Sequence, residues 1–241
     1  MASIEFTSGL ASAGIVLEKW LEAIGHNLAN LDTPGYKRQV IAFKMEVLSE
    51  TGQNPLPVGV NLSKRTVDLT QGMLKPTGNP LDLAISGEGF FVIETPLGTR
   101  YTRKGNFRLD PDGFLVTTEG YRVMGQGGPI MIGRYGSVVV NEAGEIVVDG
   151  EMVDALRIVT FPEGTEYIPE GRGLIRVKGA QPSEARAFSV KQGYLERSNV
   201  SAIEEMVKLI NVVRSFESYQ KAVQTAFEDV SRRLLQEVIK A

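Results

Sequence analysis

"NLANLDTPGYKR", Asn27 to Arg38, ends an amphipathic helix abruptly and hands the chain to a different kind of sequence. Upstream of it Leu10, Gly14, Leu17, Leu21, Ile24, Leu28 and Leu31 recur at alternating spacings of four and three, the a/d pattern of a coiled-coil seam. At about 100° per residue, Val16, Trp20 and Ala23 widen the stripe to roughly half the helix circumference, more than a single neighbour covers. Glu18, Lys19, Glu22 and His26 take the opposite side. The stop has chemical causes. Asn27 and Asn30 are poor helix formers, Thr33 precedes a proline, and Pro34-Gly35 fits the centre of a type II turn. Tyr36 and the basic pair Lys37-Arg38 then open a new segment.

A second helix is expected from about residue 199 to the end. Ser198 or Asn199 can cap it, and Ser201 with Glu204 offers a capping box as the alternative. Ile203, Met206, Val207, Ile210 and Val213 form its first apolar stripe. Glu217 and Gln220 occupy the continuation, while Phe216, Val223, Phe227, Val230 and Leu234 lie well round the helix. The reading is of a helix that changes its buried face and meets different partners along its length. An isolated two-helix stem would leave Phe216, Val223, Phe227 and Leu234 in water. At about 1.5–3 kcal/mol per fully buried side chain, that surface favours association.

The stretch between is rich in Gly, Pro and β-branched residues. "FFVIETPLGTRYTR" turns around Pro96-Leu97-Gly98, "NFRLDPDGFLVTTEGYRV" at Pro111-Asp112-Gly113, and "SVVVNEAGEIVVDG" at Glu142-Ala143-Gly144. Alternating apolar residues across Gly-bearing loops predict antiparallel hairpins, and no helical pattern interrupts them. "TGQNPLPVGVNL" reads as extended connector. The expected fold is therefore α+β, mostly β: a discontinuous module of terminal helices with an inserted antiparallel β domain. Its parts are residues 1–36, an extended connector at 37–70, the β domain at 71–191, and a return segment with the second helix at 192–241.

Composition narrows the functions. The 241 residues suffice for a real core, and 42% apolar with 23% charged residues is ordinary for a globular protein. A formal net charge of −3 with no Lys/Arg run argues against nucleic acid. The absence of cysteine removes disulfides, thiolate chemistry and zinc–thiolate sites. No stretch approaches 18 uncharged apolar residues, so no membrane-spanning helix is expected. The N-terminus lacks a positive n-region and carries Glu5, so no Sec-type signal peptide is expected.

No motif carries chemistry. His26 is the only histidine and falls on the charged side of the first helix. "DPDG" at 110–113 lacks the spacing and terminal Glu of a calcium loop. "GQGG" at 125–128 leads into another strand rather than a helix N-terminus, so the means of holding phosphate is missing. Glu204-Glu205 reads as a solvated pair on an exposed helix face, and Glu88, Glu94 and Asp112 show no spacing that singles out a catalytic pair. No catalytic residue, metal, cofactor or small-molecule substrate is expected.

Four motifs, in order, then make the chain recognisable. "NLANLDTPGYKR" resembles the N-terminal signature of the bacterial flagellar rod and hook family, and "QGYLERSNVSAIEEMVKLINVVRSFESYQKAV", Gln192 to Val223, resembles its C-terminal one. "GNPLDLAISGEGFFVI" and "YTRKGNFRLDPDGFLVTTEGYRV" match between them, leaving only about 40–66 and 150–185 outside the resemblance. The signature residues are Asn27, Leu28, Asn30, Thr33, Pro34, Gly35 and Tyr36, with Gln192, Gly193, Tyr194, Ser198, Asn199 and Val200 at the return. Within the family, the short length and "GQGGPI" look most like the proximal rod branch, with the distal rod branch the close alternative.

The resemblance implies a structural, non-enzymatic subunit of the basal-body rod. It implies export through the flagellar type III apparatus without a cleaved signal, and assembly in the periplasm with other rod subunits into a torque-transmitting tube that conducts export. On that basis Leu10, Leu17, Leu21, Ile24 and Leu28 are expected to face Ile203, Val207, Ile210 and Val213 within the subunit. Val16, Trp20, Phe216, Val223, Phe227 and Leu234 are expected to contact other subunits. A secreted helical-stem binding module or adhesin is the alternative of another class.

Overall fold

The computed structural model describes the backbone of residues 2–47, 57–133 and 136–240, and the side chains of residues 13–42, 65–133, 136–228 and 231–232. The chain forms two compact units. One gathers Met1–Leu28, Val40–Arg65 and Ser201–Ala241; the other gathers Ala29–Gln39 and Thr66–Val200.

The first unit is built on two helices, α1 (Ala2–Ala29, 28 residues) and α2 (Ala202–Lys240, 39 residues). Asn27 meets Glu205 across the pair, and a Cβ on Gly14 would lie 2.8 Å from the Tyr219 hydroxyl. These contacts step back along α1 as they step forward along α2, so the helices run antiparallel. Ser201 caps α2: its Oγ accepts the Glu204 amide at 3.4 Å and its carbonyl accepts the Glu205 amide at 3.0 Å. The same unit holds most of a two-stranded ribbon, β1 (Gln39–Val47) and β2 (Pro57–Val67). Residues 37–70, expected as an extended connector, thus contain paired strands. β-branched residues at Val58, Val60 and Val67 suit them to a ladder despite the Pro and Gly nearby.

The second unit is antiparallel β throughout its described strands, as the hairpin patterns predict. The strand Phe90–Thr95 sits deep in its largest sheet. Along one edge it pairs with Gly98–Thr102, from Phe91↔Thr102 to Thr95↔Gly98. Its other edge is shared, the start by Ile158–Thr160 and the end by Arg122–Val123. Alternation then buries both faces. Phe91 and Ile93 enter one cluster with Leu83, Ile85, Leu115, Ile130 and Ile146; Phe90 and Val92 enter another with Val159, Phe161, Tyr167 and Ile175. Phe91 meets Phe107 edge-on at 5.1 Å and 84°, a favoured ring geometry.

The three expected turns are present. Asp110 Oδ1 accepts the Asp112 and Phe114 amides in one, and Asn141 Oδ1 accepts the Ala143 and Glu145 amides in another, self-bonding that these side chains favour. In the third, Thr95 Oγ1 donates to the Gly98 carbonyl.

Candidate functional site

The signature around Pro34-Gly35 belongs to the β unit, not to the helix that precedes it. The Tyr36 amide bonds back to the Thr33 carbonyl at 3.3 Å and Gly35 has φ +65°, which makes Pro34-Gly35 the centre of a type II turn as expected. Gly35 is required twice. Its φ is left-handed, and a Cβ there would stand 2.3 Å from the backbone of Arg103 and Lys104. That close approach lets the Gly35 amide reach the Glu196 carbonyl at 2.7 Å.

Glu196 is the centre of a clamp. Its side chain is 1% exposed and receives Lys37 Nζ at 2.6 Å and the Gly72 amide at 2.8 Å on Oε1, with Arg103 Nη1 at 3.5 Å from Oε2. Lys37 Nζ also donates to the Thr70 carbonyl at 2.8 Å, and Arg103 Nη2 to the Gly87 carbonyl at 2.6 Å. Burial pulls the Lys37 ammonium below its usual value, against the opposing pull of Glu196. Burial likewise lowers Arg103. Asn199 completes the clamp: Oδ1 accepts the Arg38 amide at 2.7 Å, and Nδ2 donates to the carbonyls of Asp68 and Thr70. Arg38 Nη2 pairs with Asp68 Oδ2 at 2.8 Å. The segments at 35–38, 68–72 and 196–199 adjoin chain passages between the units, and two polar residues tie them together. Sequence reading missed Lys37, Arg103 and Glu196, because three ordinary charges far apart in sequence carry no local signal.

The rest of the signature has structural work. Gln192 Oε1 accepts the Val140 amide at 3.1 Å while its Nε2 donates to Val138 and Pro80 carbonyls, standing in for a strand at that sheet edge. Gly193, at φ +77°, accepts the Thr77 amide at 2.7 Å. Ser198 Oγ accepts the amide of buried Val200, and Tyr194 is exposed.

The helix seam is not the one expected. On α1, Ile24 is buried, with Leu17, Leu21 and Leu28 half-buried. On α2, Ile203, Val207, Ile210 and Val213 are 77, 52, 52 and 42% exposed. The residues covered instead are Ala202, Glu205, Leu209, Val212, Phe216, Tyr219 and Val223, an unbroken series of alternating threes and fours. Phe216 and Val223, expected to meet other subunits, therefore continue the intrachain seam. The apparent change of face was an artefact of hydropathy: Glu205 interrupts the stripe in sequence. In space, Asn27 Nδ2 donates to its Oε2 at 3.1 Å and Lys208 bonds its Oε1. Glu205, expected to be solvated, is 1% exposed. Trp20 and Phe227 remain 43 and 69% exposed, Val16 is half-buried, and Leu10 and Leu234 lie outside the described side chains.

The motifs weighed for chemistry have structural explanations. In the "GQGG" loop a carboxylate, Asp154, accepts the Gly127 amide at 3.2 Å, so an acid sits where a phosphate would have to. Among the described residues no group of three or more His, Asp or Glu side chains is placed to hold a metal. His26 Nε2 lies 3.8 Å from Glu22 Oε1 on a half-exposed side chain.

An antiparallel pair of helices, α1 and α2, flanking a clamped β unit in sequence, defines a class of structural subunit. Comparison with known proteins narrows the class. A family model described as the flagellar hook protein FlgE/F/G D1 domain matches residues 84–165, and one described as the flagellar basal body rod FlgEFG protein C-terminal matches residues 191–236. The chain is 33% identical over 211 residues to flagellar basal-body rod protein FlgF of Mesorhizobium japonicum, covering 86% of this chain and 87% of that one. It is 33% identical over 251 residues to flagellar basal-body rod protein FlgG of Bacillus subtilis, covering 91 and 92%. With FlgF of Caulobacter vibrioides the figures are 31% over 224 residues, 90 and 91%. The chain belongs to the flagellar basal-body rod and hook family, and its role is that of a rod structural subunit.

Proposed function

We infer that the chain is a proximal-type rod subunit, exported without a cleaved signal through the flagellar type III apparatus. It assembles in the periplasm with other rod components through its terminal helices. The observation that carries the assembly reading is the outward face of α2, where Ile203, Met206, Val207, Ile210 and Val213 stay between 42 and 77% exposed on a helix whose other face is already covered. Burying each fully is worth about 1.5–3 kcal/mol, far more than scattered surface apolar residues offer. The intersubunit contacts therefore belong to this face, together with Trp20 and Phe227.

The proximal type is supported by the short length of the chain and by the "GQGGPI" run, Gly125 to Ile130.

The test is a double substitution, Val207→Asp with Ile210→Asp. Both side chains are about half exposed, so the helical circular dichroism of the purified chain should be unchanged within about 0.5 kcal/mol of stability. In the native cell the variant should vanish from isolated basal bodies. Normal incorporation would overturn the assembly face. A tagged native chain found at the hook end of the rod would overturn the proximal assignment.

A further inference from the structure

The β unit is closed by a strap. Residues 188–200 bond to segments that precede the central sheet in sequence. Phe188–Gln192 pairs with Leu83–Gly87, and Tyr194–Glu196 with Leu74–Pro76, each as an antiparallel two-stranded ladder. Glu196 and Asn199 then hold Gly35, Lys37, Arg38, Asp68, Thr70 and Gly72.

The ladders of the central sheet use none of these bonds. Its hairpins join near neighbours: Phe90–Thr95 to Gly98–Thr102, Glu166–Gly171 to Leu174–Lys178, and Arg108–Leu109 through Leu115–Val116 to Arg122–Val123. Most of the larger apolar cluster comes from between Phe91 and Ile158, and the strap adds Val190 to it, with Phe188 packed alongside. The rest of its attachment is polar. The bonds of Glu196 and Asn199 to the segments at 37–38 and 68–72 span 124 to 161 residues of sequence. Joining parts that far apart costs loop entropy. What offsets it here is mostly directional bonds that strengthen only once water has been excluded around them. Such contacts form after local hairpins and the apolar core they build.

We propose that this strap closes last when the β unit folds and opens first in the folded chain, a latch on the segments that lead into the sheet. The strap ends at residue 200. A chain made from its N-terminus therefore keeps those segments unlatched until only the sequence of α2 remains to follow. The latch belongs to the β unit by itself and does not depend on the rod reading.

Hydrogen exchange in the full chain tests it. The amides of Leu115, Met124 and Ile130 donate to carbonyls inside the sheet, and those of Gly35, Val190 and Arg197 to the carbonyls of Glu196, Glu142 and Met73. In pulse labelling after dilution from urea, the first set should gain protection early and the second in a distinct, later phase. In the folded chain the second set should open at least about tenfold more often, as a local opening below the global one. Glu196→Ala should keep the early phase within about fivefold of its native rate. It should weaken protection of the second set on the order of a hundredfold, as loss of its buried pairs predicts. Simultaneous protection of both sets, or equal opening in the folded chain, overturns the order. So does a Glu196→Ala chain that loses the early phase, because the strap would then belong to the folding nucleus.

Discussion

At the scale of single residues, Glu196 and Gly35 bear most of the clamp. Glu196→Ala would leave Lys37 and Arg103 buried opposite a void, a loss of about 3–5 kcal/mol for breaking a buried ion pair from one side. Urea denaturation followed by β-sheet circular dichroism should show it, with Glu196→Gln less severe because an acceptor remains. Gly35→Ala meets a left-handed φ, about 1–2 kcal/mol by itself, and adds a collision with Arg103 backbone that no rotamer relieves. The clamp also has an acid limit. Burial pushes the Asp68 carboxyl up, but hydrogen bonds from Thr70 and the charge of Arg38 more than reverse this, leaving it below 3.8. A depressed carboxyl contributes stability that is fully present above 3.8 and is lost as pH falls through its folded value. The stability gap between the native chain and Asp68→Asn should therefore narrow in a series of melts as pH falls below about 4, and close once the carboxyl is protonated in the folded chain.

Between elements, one polar and one steric contact among the described residues fix the α1–α2 register. Asn27 and Glu205 can be buried only opposite each other, the way a polar residue fixes register in a coiled coil. Gly14 makes room for Tyr219. Alanine is the better helix former by about 1 kcal/mol, yet Gly14→Ala should lower helix-pair stability because its Cβ meets the hydroxyl at 2.8 Å. In a Tyr219→Ala background the same change should stabilise. A double-mutant cycle on helical thermal melts reads the reversal, and equal signs in both backgrounds would refute the contact. The expected module boundaries at 36 and 192 give the turn after α1 and the return segment before α2 to the helical module. The compact units instead divide at 28 and 200, because the signature segments bond to the β unit.

For the whole molecule, that division makes a prediction about trimming. A chain cut to residues 29–200 keeps Gly35, Lys37 and Asn199 and should unfold cooperatively. A cut to 37–198 deletes the Gly35–Glu196 and Asn199 contacts and should melt lower, and equal melting temperatures would contradict the clamp. Much of the architecture could be read beforehand. The end of α1, the Pro34-Gly35 turn and three hairpins each depend on residues within a few positions of one another, whereas the cap on α2 is Ser201, the alternative to the expected Ser198 or Asn199. The family signatures were legible for the same reason: they are compact runs. What tertiary structure alone decided is which face of α2 is covered, and that Lys37, Arg103, Glu196 and Glu205 are interior. Hydropathy assigns a charge to water unless its partner is known, and those partners lie 93 to 178 residues away. Only the folded chain brings them close enough to replace water.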